Sequence, residues 1–109
     1  MITITFDMND YSVVFSGHAE SKVRDDENHD MVCACASILF YTLHDNICQF
    51  TEWMEKGSVR TSINKGDAMV SCKPAKKYEQ NVTLMYLFAY NGLKLLADNY
   101  PDNLTVILK

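Results

Sequence analysis

The sequence predicts a two-layer α+β fold in which two helices lie on one face of a mixed five-stranded sheet. Two observations support this prediction. Five short segments are β-prone or alternate apolar and polar residues, as half-buried strands do, while two longer segments repeat apolar residues every three or four positions, as amphipathic helices do. In chain order these segments read ββαββαβ. Two helices that each carry one apolar stripe are most simply buried on one face of a single sheet.

The first half of the chain is predicted to hold a hairpin followed by a long helix. Segment 1–7 alternates isoleucine and phenylalanine with threonine, and segment 11–16 is again short and β-prone after the turn signal Asn9-Asp10. The helix is expected to run for about seven turns and to end at Gly57, because glycine adopts the conformation that closes many helices. Its apolar stripe consists of Val32, Ala36, Leu39, Phe40, Leu43, Ile47, Phe50 and Met54.

The second half repeats this order and adds a strand. Segments 58–63 and 68–72 are strand-like, and Gly66 between them tolerates the positive φ that a tight turn needs. The helix that follows is expected to end at Pro101, and segment 104–108 reads as a last strand. The stripe of this second helix consists of Val82, Met85, Tyr86, Ala89, Leu93, Leu96, Ala97 and Tyr100.

The second face of the sheet is predicted to be partly apolar. Val14, Val59 and Val70 are the residues expected to lie there. An apolar face that no helix covers favours self-association, so we expect a homodimer.

Composition is typical of a globular protein with one core. With 109 residues, of which 48% are hydrophobic, residues 1–109 are expected to form a single domain. The net charge of -4 argues against tight binding of nucleic acid, which requires clustered basic residues. The first ten residues do not resemble a signal peptide, and no apolar run approaches the roughly 20 residues that cross a bilayer. We therefore expect a cytoplasmic protein that binds neither membranes nor nucleic acid, with its four cysteines as free thiols.

Residues 17–29, with the sequence GHAESKVRDDENH, form an unusually long and charged connection between the first hairpin and the first helix. We expect a mobile active-site loop here. It opens with Gly17-His18 and is expected to end at Asp30, a good N-cap, which would place Cys33 in the first helical turn. A cysteine near the positive end of a helix dipole and beside an imidazole favours the reactive thiolate, so Cys33 and His18 are candidates for nucleophile and base. Cys33 lies at the edge of the apolar stripe, one turn before Ser37.

Simpler interpretations of these residues remain open. A helical cysteine is most often an apolar filler, which would leave a non-catalytic binding module that docks through the 17–29 connection. A metal site formed by Cys33, Cys35 and His18 or His29 is disfavoured, because residues two apart on a helix point about 200° away from each other. His44 has no special placement. No metal or other cofactor is expected.

Two motifs resemble the ribosomal-processing cysteine protease family (Prp) of bacteria. They are Ser-Gly-His-Ala at residues 16–19 and Asp-Met-Val-Cys-Ala-Cys-Ala-Ser-Ile-Leu at residues 30–39, and the likeness extends over essentially the whole chain. The resemblance implies that Cys33 is the nucleophile and His18 the general base. It also implies that Asp30, Ser37 and Gly17 lie around the site, whereas Cys35 stands where the family usually has alanine.

The resemblance implies an endopeptidase that removes a short N-terminal extension from one specific protein. In the family this is a large-subunit ribosomal protein, and phage-encoded relatives look like processors of scaffold or capsid proteins. Two features of the chain differ from the family pattern: Asn28 replaces a glycine, and the connection before Cys33 is longer and more acidic. Asparagine tolerates the left-handed conformation that glycine would adopt, so the differences concern the substrate and not the class of enzyme.

Overall fold

The computed structural model describes residues 1–17, 28–64 and 66–109, so most of the predicted 17–29 loop lies outside the described residues. Five strands form one sheet in the order β3-β4-β2-β1-β5. All neighbouring strands are antiparallel except β1 and β5, which are parallel, so the predicted mixed sheet is confirmed. The strands are β1 (Ile2–Asp7), β2 (Ser12–Ser16), β3 (Arg60–Asn64), β4 (Asp67–Ser71) and β5 (Leu104–Leu108).

Helices α1 (His29–Gln49) and α2 (Glu79–Asn99) cover the same face of the sheet, as predicted. Phe40 of α1 makes an edge contact with Phe15 of β2, and Tyr90 of α2 makes one with Phe6 of β1. Phe6 and Phe15 share a face because Phe6 pairs with Val13, two residues before Phe15 on the same strand. The alternating residues on that face of β1, which begin with Ile2, are fully buried beneath the helices.

Helix α1 ends at Gln49, so the prediction that it continues to Gly57 is wrong. Phe50 leaves the helical conformation, a short 3-10 turn follows, and Met54 is extended and pairs with Pro74. The aromatic rings of Phe50 and Trp53 stack with centroids 4.4 Å apart. Met54 continues the helical spacing only by coincidence, because its pairing with Pro74 brings it into the core, whereas Phe50 is half-buried and stacks on the nearby Trp53.

The prediction for the uncovered face of the sheet is wrong at Val70. Val70 pairs with Val13, lies beneath the helices and is completely buried. Val14 is on the uncovered face and is exposed, whereas Val59 precedes β3 and packs against the core. The uncovered face of β1 carries Thr3 and Thr5, so this surface is less apolar than expected.

Helix α1 is also long and apolar enough, by length and composition alone, to cross a bilayer, contrary to the expectation from its apolar runs. The side chains of one face, from Val32 to Ile47, pack in the core, whereas Ile38 on the opposite face is exposed. The polar residues Asp30 and Asp45 lie on the helix, and Asp45 is largely exposed. In this fold α1 packs on the core through one face, and a packed helix can also meet the requirements of length and composition for crossing a bilayer.

Candidate active site

Gly17 lies where the chain leaves β2, and any other residue would be strained at this position. Its φ is +142°, a conformation that side chains rarely adopt, and a Cβ atom would lie 2.7 Å from the carbonyl oxygen of Met1 and 2.8 Å from Cα of Ile2. Its N–H donates a 2.9 Å hydrogen bond to the carbonyl of Gly66 in the β3–β4 turn. Gly17 thus fixes the point from which the chain continues to His18. His18 itself lies outside the described residues.

Helix α1 begins two residues earlier than predicted, which changes the role of Asp30. The capping position is Asn28, whose carbonyl accepts a 2.9 Å hydrogen bond from the N–H of Val32. Asp30 is therefore inside the first turn and exposed, and the prediction that it is the N-cap is wrong. Its carboxylate still lies near the positive end of the helix dipole, where an acidic residue stabilises the helix.

Cys33 lies in the second turn of α1, not in the first. The first intrahelical hydrogen bond is donated by the N–H of Val32, the residue before Cys33. The N–H groups that have no helical acceptor therefore belong to the turn before Cys33. Side chains of a helix lean toward its N-terminus, so the thiol of Cys33 extends over that first turn. The side chain is half-buried and packs against the core. A thiol placed in this way is held by the core and still reachable.

His29 and Ser37 lie one turn on either side of Cys33. Ser37 is half-buried, whereas His29 is only 7% exposed and has an interaction partner of its own. Sequence reasoning gave His29 little importance. Its spacing of four residues from Cys33 is the signal that would have marked it, because residues four apart share a helix face.

The remaining thiols have different surroundings. Cys35 and Cys48 are exposed on α1, and Cys72 is buried after β4. Burial raises the pKa of the Cys72 thiol, and a hydrogen bond with the Tyr86 hydroxyl only partly offsets this. A buried thiol of this kind stays protonated and has no access to a substrate. Among the described residues, no group of three or more His, Cys, Asp or Glu side chains is placed to hold a metal ion.

Comparison with known proteins identifies the family. The family model described as cysteine protease Prp matches residues 1–105. The chain belongs to this family. None of the curated proteins matches the chain.

Solved structures of similar proteins share the fold of this Prp family member. One is the S. aureus ribosomal processing protease Prp in complex with a covalently linked product peptide, with a TM-score of 0.69, 23% identity and full coverage of both chains. The same S. aureus protease with a substrate peptide matches with a TM-score of 0.69 and 21% identity, again over both whole chains. A Streptococcus mutans protein matches with a TM-score of 0.66 and 22% identity, over 98% of this chain and 90% of that one. These likenesses confirm the α+β architecture.

Proposed function

We propose that this Prp family member is a cysteine endopeptidase that removes a short N-terminal extension from one specific protein. The observation that carries the proposal is the position of Cys33, a half-buried thiol leaning over the start of α1, in a chain whose family is one of cysteine proteases. Cys33 is the nucleophile and His18 the general base. Gly17 positions the chain before His18, and Asp30 and Ser37 flank the nucleophile on the same side of the helix.

In the proposed mechanism His18 accepts the proton of Cys33, and the thiolate attacks the carbonyl carbon of the scissile peptide bond. Negative charge then develops on the carbonyl oxygen. Backbone N–H groups of the first turn of α1, which lack helical acceptors, are suited to stabilise it. The protonated imidazole gives its proton to the leaving amine, and water releases the N-terminal fragment from the thioester.

The proposed substrate is an extended N-terminal segment of a ribosomal protein or of a phage scaffold or capsid protein. The S. aureus relative is a ribosomal processing protease and has been crystallised with a substrate peptide, which favours the ribosomal protein. In this proposal residues 1–109 act as one protease domain in the cytoplasm, without a metal or other cofactor.

A cleavage assay tests the activity and the choice of substrate. Purified protein is incubated with two peptides, one spanning the N-terminal extension of a large-subunit ribosomal protein and one spanning that of a phage scaffold protein, and products are identified by mass spectrometry. We expect one of them to be cut, and Cys33→Ala to lower kcat/KM by about 10³-fold or more. The control Cys35→Ala, which removes an exposed thiol of the same helix, is expected to keep the activity.

A binding module would behave differently in the same experiment. It would bind a peptide without cutting it, and Cys33 would be alkylated at pH 6 no faster than the exposed Cys35. Either result, with a folded protein, would overturn the assignment of Cys33 as a nucleophile.

The assignment of His18 as the base is tested against His29, the buried histidine one turn before Cys33. His18→Ala is expected to lower kcat by about 10²-fold or more, the usual contribution of a general base, and to leave the thermal midpoint nearly unchanged. His29→Gln is expected to lower the thermal midpoint and to keep most of the activity below it. The reverse pattern would assign the base to His29.

The homodimer proposed here has more apolar surface available on the helix layer than on the uncovered sheet face. Phe88, Ile38 and Leu95 are 69%, 67% and 65% exposed, compared with 37% for Val14 on the sheet. Self-association would remove these side chains from water. Light scattering tests this: Phe88→Ser is expected to yield a monomer and Val14→Thr to leave a dimer. A monomeric parent protein at micromolar concentration would exclude the dimer.

A further inference from the structure

Near its C-terminus, α1 holds a cysteine that lies beside a histidine. Cys48 Sγ lies 4.0 Å from Nε2 of His44, one helical turn earlier. The same Nε2 lies 3.0 Å from the hydroxyl oxygen of Thr61 on β3, and Nδ1 lies 3.5 Å from a carboxylate oxygen of Asp45. This imidazole is therefore held from a strand as well as from its own helix.

The surroundings of His44 favour a ring that accepts a proton at Nε2. A carboxylate beside Nδ1 stabilises the tautomer whose proton is on Nδ1, which leaves the lone pair of Nε2 facing the thiol and the Thr61 hydroxyl. The His44 side chain is only 16% exposed, so its position is restricted.

The other exposed thiol provides a comparison within the same helix. Cys35 has no polar partner in the described part of the chain, whereas Cys48 has His44. Both are reachable from solvent, and the imidazole beside Cys48 is a feature that Cys35 does not share. Cys33 is 15 residues before Cys48, about 22 Å along the helix at 1.5 Å per residue. The Cys48–His44 pair is therefore separate from the proposed active site.

We propose that Cys48 is a modification site that reacts with low-molecular-weight disulfides of the glutathione type. In the reaction His44 accepts the thiol proton, and Cys48 Sγ attacks one sulfur of the reagent disulfide. A new sulfur–sulfur bond to Cys48 forms as the reagent bond breaks, and the leaving thiolate takes the proton back from His44. Cys48 is oxidised, and one half of the reagent disulfide is reduced to a thiol.

Thiol exchange with glutathione disulfide tests the proposal in the full-length chain. Cys33→Ser is used as the background, so that the proposed nucleophile does not compete. Chymotrypsin cuts at the aromatic residues between Cys35 and Cys48, so mass spectrometry measures each thiol on its own peptide. We expect Cys48 to react at least about tenfold faster than Cys35. This factor is smaller than the usual contribution of a positioned general base, because the distance between the sulfur and the nitrogen is long.

Two further measurements assign the difference to His44. In the His44→Gln variant the Cys48 rate is expected to fall to that of Cys35. In the parent protein unfolded by guanidinium, the rates of Cys48 and Cys35 are expected to become equal within about twofold. This measurement does not depend on whether the His44→Gln variant folds. Equal rates in the native protein, or a difference that survives unfolding, would overturn the proposal.

The result is independent of the proposed protease activity. Cys48→Ser is expected to retain peptide cleavage while losing the fast modification. A chain without protease activity would still show the fast modification of Cys48 if the pair acts as described.

Discussion

The two ends of the sheet each hold a cysteine near the point where a strand ends, and they place it in opposite environments. At one end Gly17 leaves β2, α1 begins, and Cys33 is half-buried in its second turn. At the other end Cys72 follows β4 and is buried against the hydroxyl of Tyr86. The environment of each cysteine, rather than its residue type, therefore distinguishes a candidate nucleophile from a structural thiol.

Polar contacts secure the Cys72 end. The hydroxyl of Tyr86 donates a 2.7 Å hydrogen bond to the carbonyl of Tyr11, whose own hydroxyl lies 2.8 Å from that of Thr83. Tyr11 has a positive φ of 52°, so these contacts hold a residue that would otherwise resist this conformation. The polar groups of this cluster are hydrogen-bonded to one another, so their contacts stabilise this end of the sheet.

The largest expected effect concerns access to the two thiols. In the native protein Cys72 is expected to react with iodoacetamide at least about 10³-fold more slowly than Cys33, because it reacts only when the fold opens. Burial also raises the pKa of Cys72, which lowers its thiolate fraction further. Peptide mass spectrometry after timed alkylation measures both rates. Similar alkylation rates at Cys72 and Cys33 would contradict the proposed difference in accessibility between the two thiols.

The second effect concerns the glycine at the Cys33 end. Gly17→Ala is expected to lower the free energy of unfolding by about 2–4 kcal/mol, because the new Cβ meets the backbone of Met1 and Ile2 in a conformation that alanine resists. Gly57→Ala is the matched control: its φ is +76°, but no atom of the described residues lies within 4 Å of the added Cβ. It is expected to cost about 1 kcal/mol. Urea denaturation measures both, and equal losses would contradict the close approach at Gly17.

The third effect concerns the hydroxyl at the Cys72 end. Tyr86→Phe is expected to lower the free energy of unfolding by about 1–2 kcal/mol, since it leaves the Tyr11 carbonyl and the Cys72 thiol without their partner. Tyr90→Phe, in a ring that also packs against the sheet, is expected to cost less than about 0.5 kcal/mol. Chemical denaturation followed by circular dichroism measures both variants. A neutral Tyr86→Phe would show that the cluster adds little stability.

The fourth effect is a pH dependence of stability from the same cluster, which is small near neutral pH. Burial raises the pKa values of Tyr86 and Cys72 above their usual values of 10.0 and 9.0. The folded state then holds protons that the unfolded state releases, so this stability is complete below about pH 9 and falls as the pH rises further. The expected slope is about 1 kcal/mol per pH unit. Denaturation between pH 8 and 11 measures how the free energy of unfolding depends on pH, and Tyr86→Phe is expected to reduce the slope. An unchanged slope would show that other groups cause the pH dependence.

Much of the fold could be predicted because it depends on local patterns. Alternation at Ile2, Ile4 and Phe6 and the helical spacing from Val32 to Ile47 each predict an element and the face that it buries. The end of α1 could not be predicted, since Met54 is buried by pairing with Pro74, which is distant in sequence. The face of Val70 also required the pairing of β4 with β2, because a strand register is a tertiary property.

For the candidate site, the residues alone show the two motifs and the order of the elements, and they predict Cys33 rather than Cys35 as the nucleophile. The folded arrangement was needed to find that Cys33 lies in the second helical turn, that Cys72 is buried and that His44 contacts both Cys48 and Thr61. The physical reason is that spacing along a chain sets which residues share a helix face, whereas the exposure and hydrogen bonds of a side chain depend on what packs against that face.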